Sequence, residues 1–287
     1  MSKITDYTEV TALNALAVFL TESDGTKKIK GKNLLAALAE ISDDVNIHRN
    51  TWGGRSLGTS VSADQFAEIS AGTFHGMLTG DYWTIGGVDW VIADFDYWLQ
   101  TGWKDNVTGN GECVDHHVVI VPRDCLYNAK MNESNVVTGA YMGSKMYTDN
   151  LATAGTTIET AFGSAHILSH REQLANAVTD NRETAHTWVD SKWEIMNEAM
   201  VYGCERFHNQ MQGTSWAEYH TIDKTQLAVF RLNPVFICAK FNNARATWWL
   251  RDVVNSTAFA VVSANGLANG NAASYSCGVR PAFGITA

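Results

Sequence analysis

Apolar periodicity divides the chain into a short N-terminal unit and a longer region rich in strands. Residues 15–22 are apolar and β-branched enough to predict a strand, and a Ser-Asp-Gly-Thr turn separates them from a returning strand at 27–30. The apolar spacing over 33–41 then predicts a helix capped by Asn33. Such a small unit buries little area alone, so we expect residues 1–45 to pack against a neighbour or further copies.

The segment after this unit carries local start and turn signals. Residues 46–75 are rich in Gly, Ser and Thr and predict a linker, in which Ser62 to Gln65 forms a capping box for a helix to about residue 71. Residues 82–85 and 88–95 flank Gly86-Gly87 and predict a hairpin. The apolar run 118–121, ended by Pro122, predicts a buried strand.

The middle of the chain suggests more helix. Ser191 to Glu194 has capping-box spacing, and apolar residues from Trp193 to Phe207 follow at steps of 3, 4, 4 and 3, which predicts an amphipathic helix. Residues 173–178 are a further helix candidate. The apolar runs 227–232 and 235–238, separated by Pro234, predict strands.

The last 47 residues differ in kind. From 241 to 287, Ala, Asn, Ser and Gly supply 24 residues, and no charged residue occurs between 253 and 279. The segments 247–251 and 278–283, which flank this uncharged stretch, predict core strands. Between them we expect short strands, such as 258–262, joined by Asn/Gly turns that present small uncharged side chains.

Composition and charge narrow the class of protein. The 287 residues suggest about two domains, and 45% hydrophobic residues with only 18% charged ones exclude a disordered chain. The net charge of −9, with no basic run, argues against nucleic-acid binding. No apolar run predicts a membrane span or a signal peptide. Five scattered cysteines argue against a disulfide framework and indicate synthesis in a reducing cytoplasm.

Several segments together resemble a known family. TWWLR at 247–251, the small polar run after it and GVRPAF at 278–283 resemble the C-terminal domain of phage-tail and gut-bacterial proteins with a C-type-lectin-like fold. The layout is similar to the variable proteins diversified by retroelements. GDYWTIGGVDWVIADFD, HHVVIVP and HILSHREQL look like earlier segments of the same domain, and the N-terminal unit resembles virion-attachment modules.

The resemblance implies an organisation and a site. It implies an α+β fold, with a lectin-like domain at 76–287 that follows the attachment module and linker, and a variable region at about 247–283. Mutating the adenines of Asn codons cannot yield Lys, Glu, Gln, Trp or Met, and none of these occurs from 253 to 279. The implied ligand-binding residues are Asp252, Asn255, Ala258, Ser263, Ala264, Asn265, Leu267, Asn269, Asn271, Ser274, Tyr275 and Cys277. The implied scaffold residues are Trp248, Trp249, Arg251 and Arg280.

Histidine and cysteine groups raise an enzymatic or metal-binding alternative. Cys113, His116 and His117 are ligand types at close spacing, but no second ligand pair at zinc spacing follows. His166 and His170 lack the HExxH order, so we expect structural roles. Oxidases of the lectin-like fold use a close C-terminal cysteine pair, and its sugar-binding lectins use calcium triplets, neither of which occurs here. We therefore expect no catalytic residue, cofactor or metal.

The sequence thus predicts a virion protein that recognises a host-cell surface receptor, either protein or glycan. It would be made in the host cytoplasm and carried on the tail or fibre tip, attached to other virion proteins through the N-terminal module. The family suggests a homotrimer, and the lack of a long apolar run argues against membrane insertion. The alternative is a purely structural decoration or fibre protein of the virion.

Overall fold

The computed structural model describes residues 39–40, 42–101, 113–204 and 225–287. The predicted strands and nearly all of the predicted helix of the N-terminal unit lie outside these ranges, as does Phe207. Those expectations remain predictions.

The helices are short and lie between strands. They are α1 (Val45–Asn50), α2 (Ala63–Ala71), α3 (Leu151–Phe162), α4 (Glu198–Tyr202) and α5 (Ala228–Leu232). A π-helical turn (Met146–Asn150) precedes α3, and 3-10 turns occur at Ser164–His166 and Pro234–Ile237. Within the described ranges, no helix has the length and apolar character needed to span a bilayer.

Strands make up most of the regular structure. The first eight are β1 (Ser56–Gly58), β2 (Tyr82–Ile85), β3 (Val88–Phe95), β4 (Val118–Pro122), β5 (Tyr127–Lys130), β6 (His170–Thr179), β7 (Arg182–Ser191) and β8 (Trp193–Ile195). The remainder are β9 (Ala239–Phe241), β10 (Ala244–Ala246), β11 (Trp248–Asn255), β12 (Ala258–Val262), β13 (Ala268–Ala272), β14 (Ser276–Val279) and β15 (Pro281–Ile285).

Two mixed sheets and two hairpins organise these strands. One sheet has the order β1-β2-β3-β4-β15-β8, and the other has the order β13-β12-β11-β14-β5. The pairs β1–β2 and β11–β14 are parallel, whereas the other neighbours run antiparallel. Strands β6–β7 and β9–β10 form separate hairpins. The described chain is therefore of the α+β class.

Three apolar clusters fill the interior. One lies on the six-stranded sheet around Trp83, Trp90 and Phe283. The other two use opposite faces of the five-stranded sheet, because successive side chains of a strand point to opposite sides. Trp248 contributes to one of them and Trp249 to the other.

Predictions that depend only on residues close together in the sequence are confirmed. Ser62 and Gln65 form a reciprocal capping box at the start of α2. The hairpin around Gly86-Gly87 has the predicted bounds, and every residue of β4 is buried. Strand β12 and both bracketing segments are strands as expected.

The predicted linker is wrong for part of its length. Residues 45–50 form α1, because Asp44 accepts a hydrogen bond from the backbone N–H of Asn46 and caps the helix. His48 of α1 is fully buried, and its Nδ1 lies 2.8 Å from the carbonyl oxygen of Met77. Strand β1 then joins the sheet beside β2. This segment is part of the folded unit.

The predicted helix from Trp193 is also wrong. The Ser191 hydroxyl bonds the Glu194 side chain instead of capping a helix, and Trp193–Ile195 pairs with β15. Asn197 is the true cap, accepting a hydrogen bond from Met200 N at 2.8 Å. Helix α4 follows and ends at Gly203, whose φ is 75°.

Two further predictions of element type are reversed. Residues 173–178 belong to β6, because pairing with β7 outweighs their helical pattern. Residues 228–232 form α5, whose first N–H at Ala228 donates to the carboxylate of Asp94 at 2.9 Å. Pro234 then begins a 3-10 turn rather than separating two strands.

Candidate functional site

The strand pair β11–β12 forms a rigid base under the predicted ligand-binding residues. The Trp248 indole donates to the carbonyl of Ile237 at 3.1 Å, and that of Trp249 donates to the carbonyl of Ala129 at 2.8 Å. Both tryptophans are fully buried. Their predicted place in the core is confirmed, because neither ring is available to stack on a ligand.

Arg280 fastens this base to the six-stranded sheet. Its guanidinium is fully buried and donates to the carbonyls of Pro122 at 2.9 Å and Phe236 at 3.0 Å. It also lies over the rings of Phe236 and Trp248, at 4.4 and 5.0 Å. Burial lowers the pKa of Arg280 to about 10, so it stays charged at neutral pH. Arg280 therefore has the buried, strand-linking contacts that its predicted scaffold role requires.

Three of the predicted ligand contacts are wrong because they are buried. Asp252 is 4% exposed and accepts a hydrogen bond from Glu198 N at 2.7 Å, so it positions α4. Ala258 and Cys277 are 7% and 5% exposed. Burial also raises the pKa of Cys277 to about 11, which keeps it a thiol.

The turn between β12 and β13 carries four of the predicted residues. Ser263 closes it by accepting the N–H of Leu267 at 3.1 Å and donating to the Leu267 carbonyl. The Leu267 side chain is 62% exposed, and Asn265 is exposed as well. Ala264, beside them, is half-buried. The turn therefore offers one apolar and several small polar groups to solvent.

Strand β13 continues from this turn along one edge of the five-stranded sheet. Asn269 and Asn271 pair with Val261 and Phe259, so both carboxamides lie on one face. The Oδ1 atom of Asn269 accepts the N–H of Gly270 at 2.9 Å, and that of Asn271 accepts the N–H of Ala272 at 3.0 Å. Asn271 also donates to the sulfur of Cys277 at 3.3 Å.

The other end of β13 carries the remaining predicted residues. Tyr275 is 61% exposed, and the N–H of Ser274 donates to Oδ1 of Asn135 at 3.1 Å. Asn255, the last residue of β11, is exposed as well. Five residues of strand separate the two ends by ~13 Å, at about 3.3 Å per residue.

The predicted residues therefore form two turns joined by an edge strand rather than one compact patch. We call this set the β13 surface. It comprises Ser263, Ala264, Asn265, Leu267, Asn269, Asn271, Ser274 and Tyr275.

A buried ionic network beneath β11 escaped the sequence analysis. Arg251 contacts the carboxylate of Glu172, which lies 2.7 Å from Nε2 of His170. Burial alone would raise the pKa of Glu172, but Arg251 and His170 lower it to about 2. Arg251 thus pairs with a buried carboxylate, an environment that fits its predicted scaffold role. The available signal was an acidic residue at an apolar position of β6.

A second buried carboxyl lies close to this network. Glu194 accepts hydrogen bonds from the hydroxyls of Tyr141 and Ser191, each at 2.6 Å. Burial and the charge of Glu172 raise the pKa of Glu194 to about 7. The sequence pattern indicated only a capping role for Glu194, and its buried environment was not predicted.

The histidine and cysteine groups have structural surroundings. The backbone N–H of Trp98 donates to Nε2 of His117 at 3.0 Å, and burial lowers the pKa of His117 to about 4. His116 lies 2.7 Å from Asp96, and His166 stacks on Phe66 at 3.8 Å. Within the described ranges, no three His, Cys, Asp or Glu side chains are grouped to hold a metal.

Comparison with known proteins bears on the same part of the chain. Residues 201–287 match the model of a family described as a domain of unknown function, DUF6273. No curated protein and no solved structure matches the chain. The matched residues include β9–β15 and therefore the whole β13 surface.

Proposed function

We propose that this chain is a phage virion receptor-binding protein. Its C-type-lectin-like domain, at about 76–287, presents the β13 surface to a molecule on the host cell. The proposal assigns no catalytic step and no cofactor to the chain. It rests on the resemblance of the C-terminal segments and on the character of the β13 surface.

The contrast in burial along the C-terminal strands carries the proposal. Strand β12 is buried along its whole length, whereas no residue of β13 is fully buried. The exposed side chains are Asn, Leu and Tyr, with Ser beside them. Recognition surfaces favour Tyr, Ser and Asn because Tyr supplies rigid area and the others adaptable hydrogen bonds. These side chains can change without removing core packing.

Avidity would compensate for weak individual contacts. We propose that residues 1–45 attach the chain to the particle and that the chain is a homotrimer. Linked copies raise the effective concentration of further binding sites, so overall affinity exceeds that of one surface. The receptor would be a protein or a glycan.

An adsorption assay tests the proposal. Particles or purified full-length chain carrying Leu267→Ser and Asn269→Ala should lose binding to host cells, with thermal unfolding unchanged. The matched control carries Val114→Ser and Asn176→Ala, which alter an apolar and an Asn side chain that are also exposed. That control should adsorb like the wild type.

Two results would contradict the proposal. Equal adsorption by both double variants would remove recognition from β13. Sequencing sister particles gives the second result, because substitutions spread evenly over the chain would favour a purely structural decoration protein. Substitutions concentrated in the β13 surface would support recognition.

A further inference from the structure

A cleft lies near the β5 edge of the five-stranded sheet, and its lining includes no residue of the β13 surface. The π-helical turn before α3 packs against β5, and β5 and β13 are opposite edges of the five-stranded sheet. The cleft opens between this turn, the start of α3 and the junction of β7 with β8, and has a volume of about 300 Å³. Its lining residues are Tyr147, Leu151, Ala152, Asp190, Ser191, Lys192, Trp193 and Glu194.

Two aromatic rings form its walls. The indole of Trp193 packs directly on α3 at Gly155, where a Cβ atom would lie 2.2 Å from the ring. Any larger residue at 155 would displace the indole. The ring of Tyr147 meets that of Tyr141 edge-on at 5.3 Å. Both walls are therefore held in place, and an aromatic face is electron-rich and attracts C–H groups with partial positive charge.

Hydroxyl groups supply the polar contacts. The Ser191 hydroxyl donates its proton to Glu194, which leaves its lone pairs to accept a hydrogen bond from a ligand. The Tyr147 hydroxyl has no hydrogen-bond partner among the residues that the structure describes. Burial and the neighbouring Glu194 carboxylate raise the pKa of Tyr147, so this hydroxyl keeps its proton and can donate.

The charges around the cleft are compensated. Asp190 pairs with Arg171 at 3.1 Å, and Lys192 lies 3.7 Å from Glu159. Both oxygens of Glu194 are occupied by the hydroxyls of Tyr141 and Ser191. Among the described residues that line the cleft, an ionic ligand would meet no unpaired opposite charge, whereas an uncharged ligand with hydroxyl groups would meet both acceptors and donors.

We propose that this cleft binds one ring of an uncharged saccharide. A pyranose offers an apolar C–H face for Trp193 and hydroxyls for Ser191 and Tyr147. Small-ligand sites combine apolar or aromatic walls with a few placed polar groups, and they begin at about 300 Å³. The site is separate from the β13 surface and does not depend on recognition there.

Titration of the full-length chain with neutral methyl hexosides tests the inference. The methyl glycosides of glucose, galactose and mannose, together with N-acetylglucosamine, would be followed by Trp fluorescence and by ligand-observed NMR. We expect saturable binding of at least one of them at millimolar concentration. Glucosamine and glucuronate, which are charged, should bind more weakly than their neutral counterparts.

Variants distinguish the cleft from the rest of the surface. Tyr147→Phe keeps the ring and removes one hydroxyl, so it should weaken binding by about 2- to 10-fold, the range expected for one hydrogen bond. Ser191→Ala should act in the same direction. Tyr275→Phe, which removes a hydroxyl from the β13 surface, is the matched control and should leave hexoside binding unchanged.

Failure has a clear form. No saturable binding of any neutral hexoside up to tens of millimolar overturns the inference, as does binding that Tyr147→Phe and Ser191→Ala leave unaltered. If Ser191→Ala lowers the unfolding temperature through its bond to Glu194, the Tyr147→Phe result decides. Host-cell adsorption through β13 can succeed or fail independently of either outcome.

Discussion

Strands β11 and β13 both pair with β12 and have opposite characters. The first six residues of β11 are buried, including the charged Arg251 and Asp252, whereas β13 has no fully buried residue and no charge. The family resemblance implied that Asp252 and Asn269 belong to one ligand-binding set. The structure separates them, because the charged pair on β11 serves the interior and the uncharged carboxamides of β13 face solvent.

The difference teaches how to assign roles in a segment of small polar residues. Arg251 and Asp252 are charged residues at the start of a long uncharged segment, and each has a buried partner. A buried ion is stable only when it is paired. The exposed side chains carry no charge and make mostly local hydrogen bonds. Stability and recognition are therefore expected to respond to different strands.

The largest expected effect is on β11. Arg251→Ala leaves Glu172 buried without its cationic partner and should lower the free energy of unfolding by about 3–5 kcal/mol. Arg245→Ala, at an exposed arginine of β10, is the control and should change it by less than about 0.5 kcal/mol. Chemical denaturation measures both. Similar losses in the two variants would contradict the contrast.

The second effect is a pH dependence carried by Glu194. Its pKa is about 7 in the folded protein and 4.5 ordinarily, so the folded state binds more protons between these values. The Glu194 contribution to the free energy of unfolding should therefore fall as pH rises from 4.5 to 7, by on the order of 3 kcal/mol.

The Glu194→Gln variant isolates this contribution. The contribution of His117 to the free energy of unfolding rises with pH over part of this range, opposite to that of Glu194. The reason is that burial lowers the folded pKa of His117 from the ordinary 6.5 to about 4. The relevant quantity is thus the free energy of the wild type minus that of Glu194→Gln, measured from pH 5 to pH 8. A difference that does not fall with rising pH would exclude the raised pKa.

A smaller effect is expected at Asp252. Asp252→Ala removes the acceptor of the Glu198 N–H and should cost about 1–3 kcal/mol of unfolding free energy. Asp149→Ala, at a carboxylate that is 61% exposed, should cost less than about 1 kcal/mol. Host-cell adsorption of folded Asp252→Ala should match the wild type. Loss of adsorption without loss of stability would return Asp252 to the ligand-binding set.

The smallest effect on stability is expected at the β13 surface. Leu267→Ser and Tyr275→Ser change side chains that are 62% and 61% exposed. Each should therefore change the free energy of unfolding by less than about 0.5 kcal/mol, as measured by chemical denaturation. A shift as large as that of Arg251→Ala would show that these side chains support the core. The assignment of stability to β11 and of recognition to β13 would then be wrong.

Elements with self-contained signals were predictable from the sequence. The capping box at Ser62 and Gln65 and the hairpin around Gly86-Gly87 depend on neighbours within a few residues. Helix α5 was not predictable in this way, because its first N–H is capped by Asp94, 134 residues earlier. Strand β6 likewise depends on its pairing with β7, which periodicity does not reveal.

The sequence predicted the segment that carries the candidate site and its small polar residues. It did not predict which of these residues are exposed. Alternation along a strand decides which residues reach solvent, and that needs the register of β12 with β13. The sequence also could not show that Cys277 lies in β14 and faces inward, whereas Tyr275 lies in the turn before β14 and is exposed. The cleft at Trp193 was hidden for another reason, since the residues around it were predicted to be helical.

The carboxamides of Asn269 and Asn271 also bear on aggregation. An exposed sheet edge is a template on which strands of other molecules can add. Along the described β13 edge, the N–H groups of Gly270 and Ala272 already donate to these two side chains. An incoming strand would have to displace those bonds. Variation at 269 and 271 is therefore constrained by solubility, since replacements that lack an acceptor would leave the edge open to stacking of neighbouring copies.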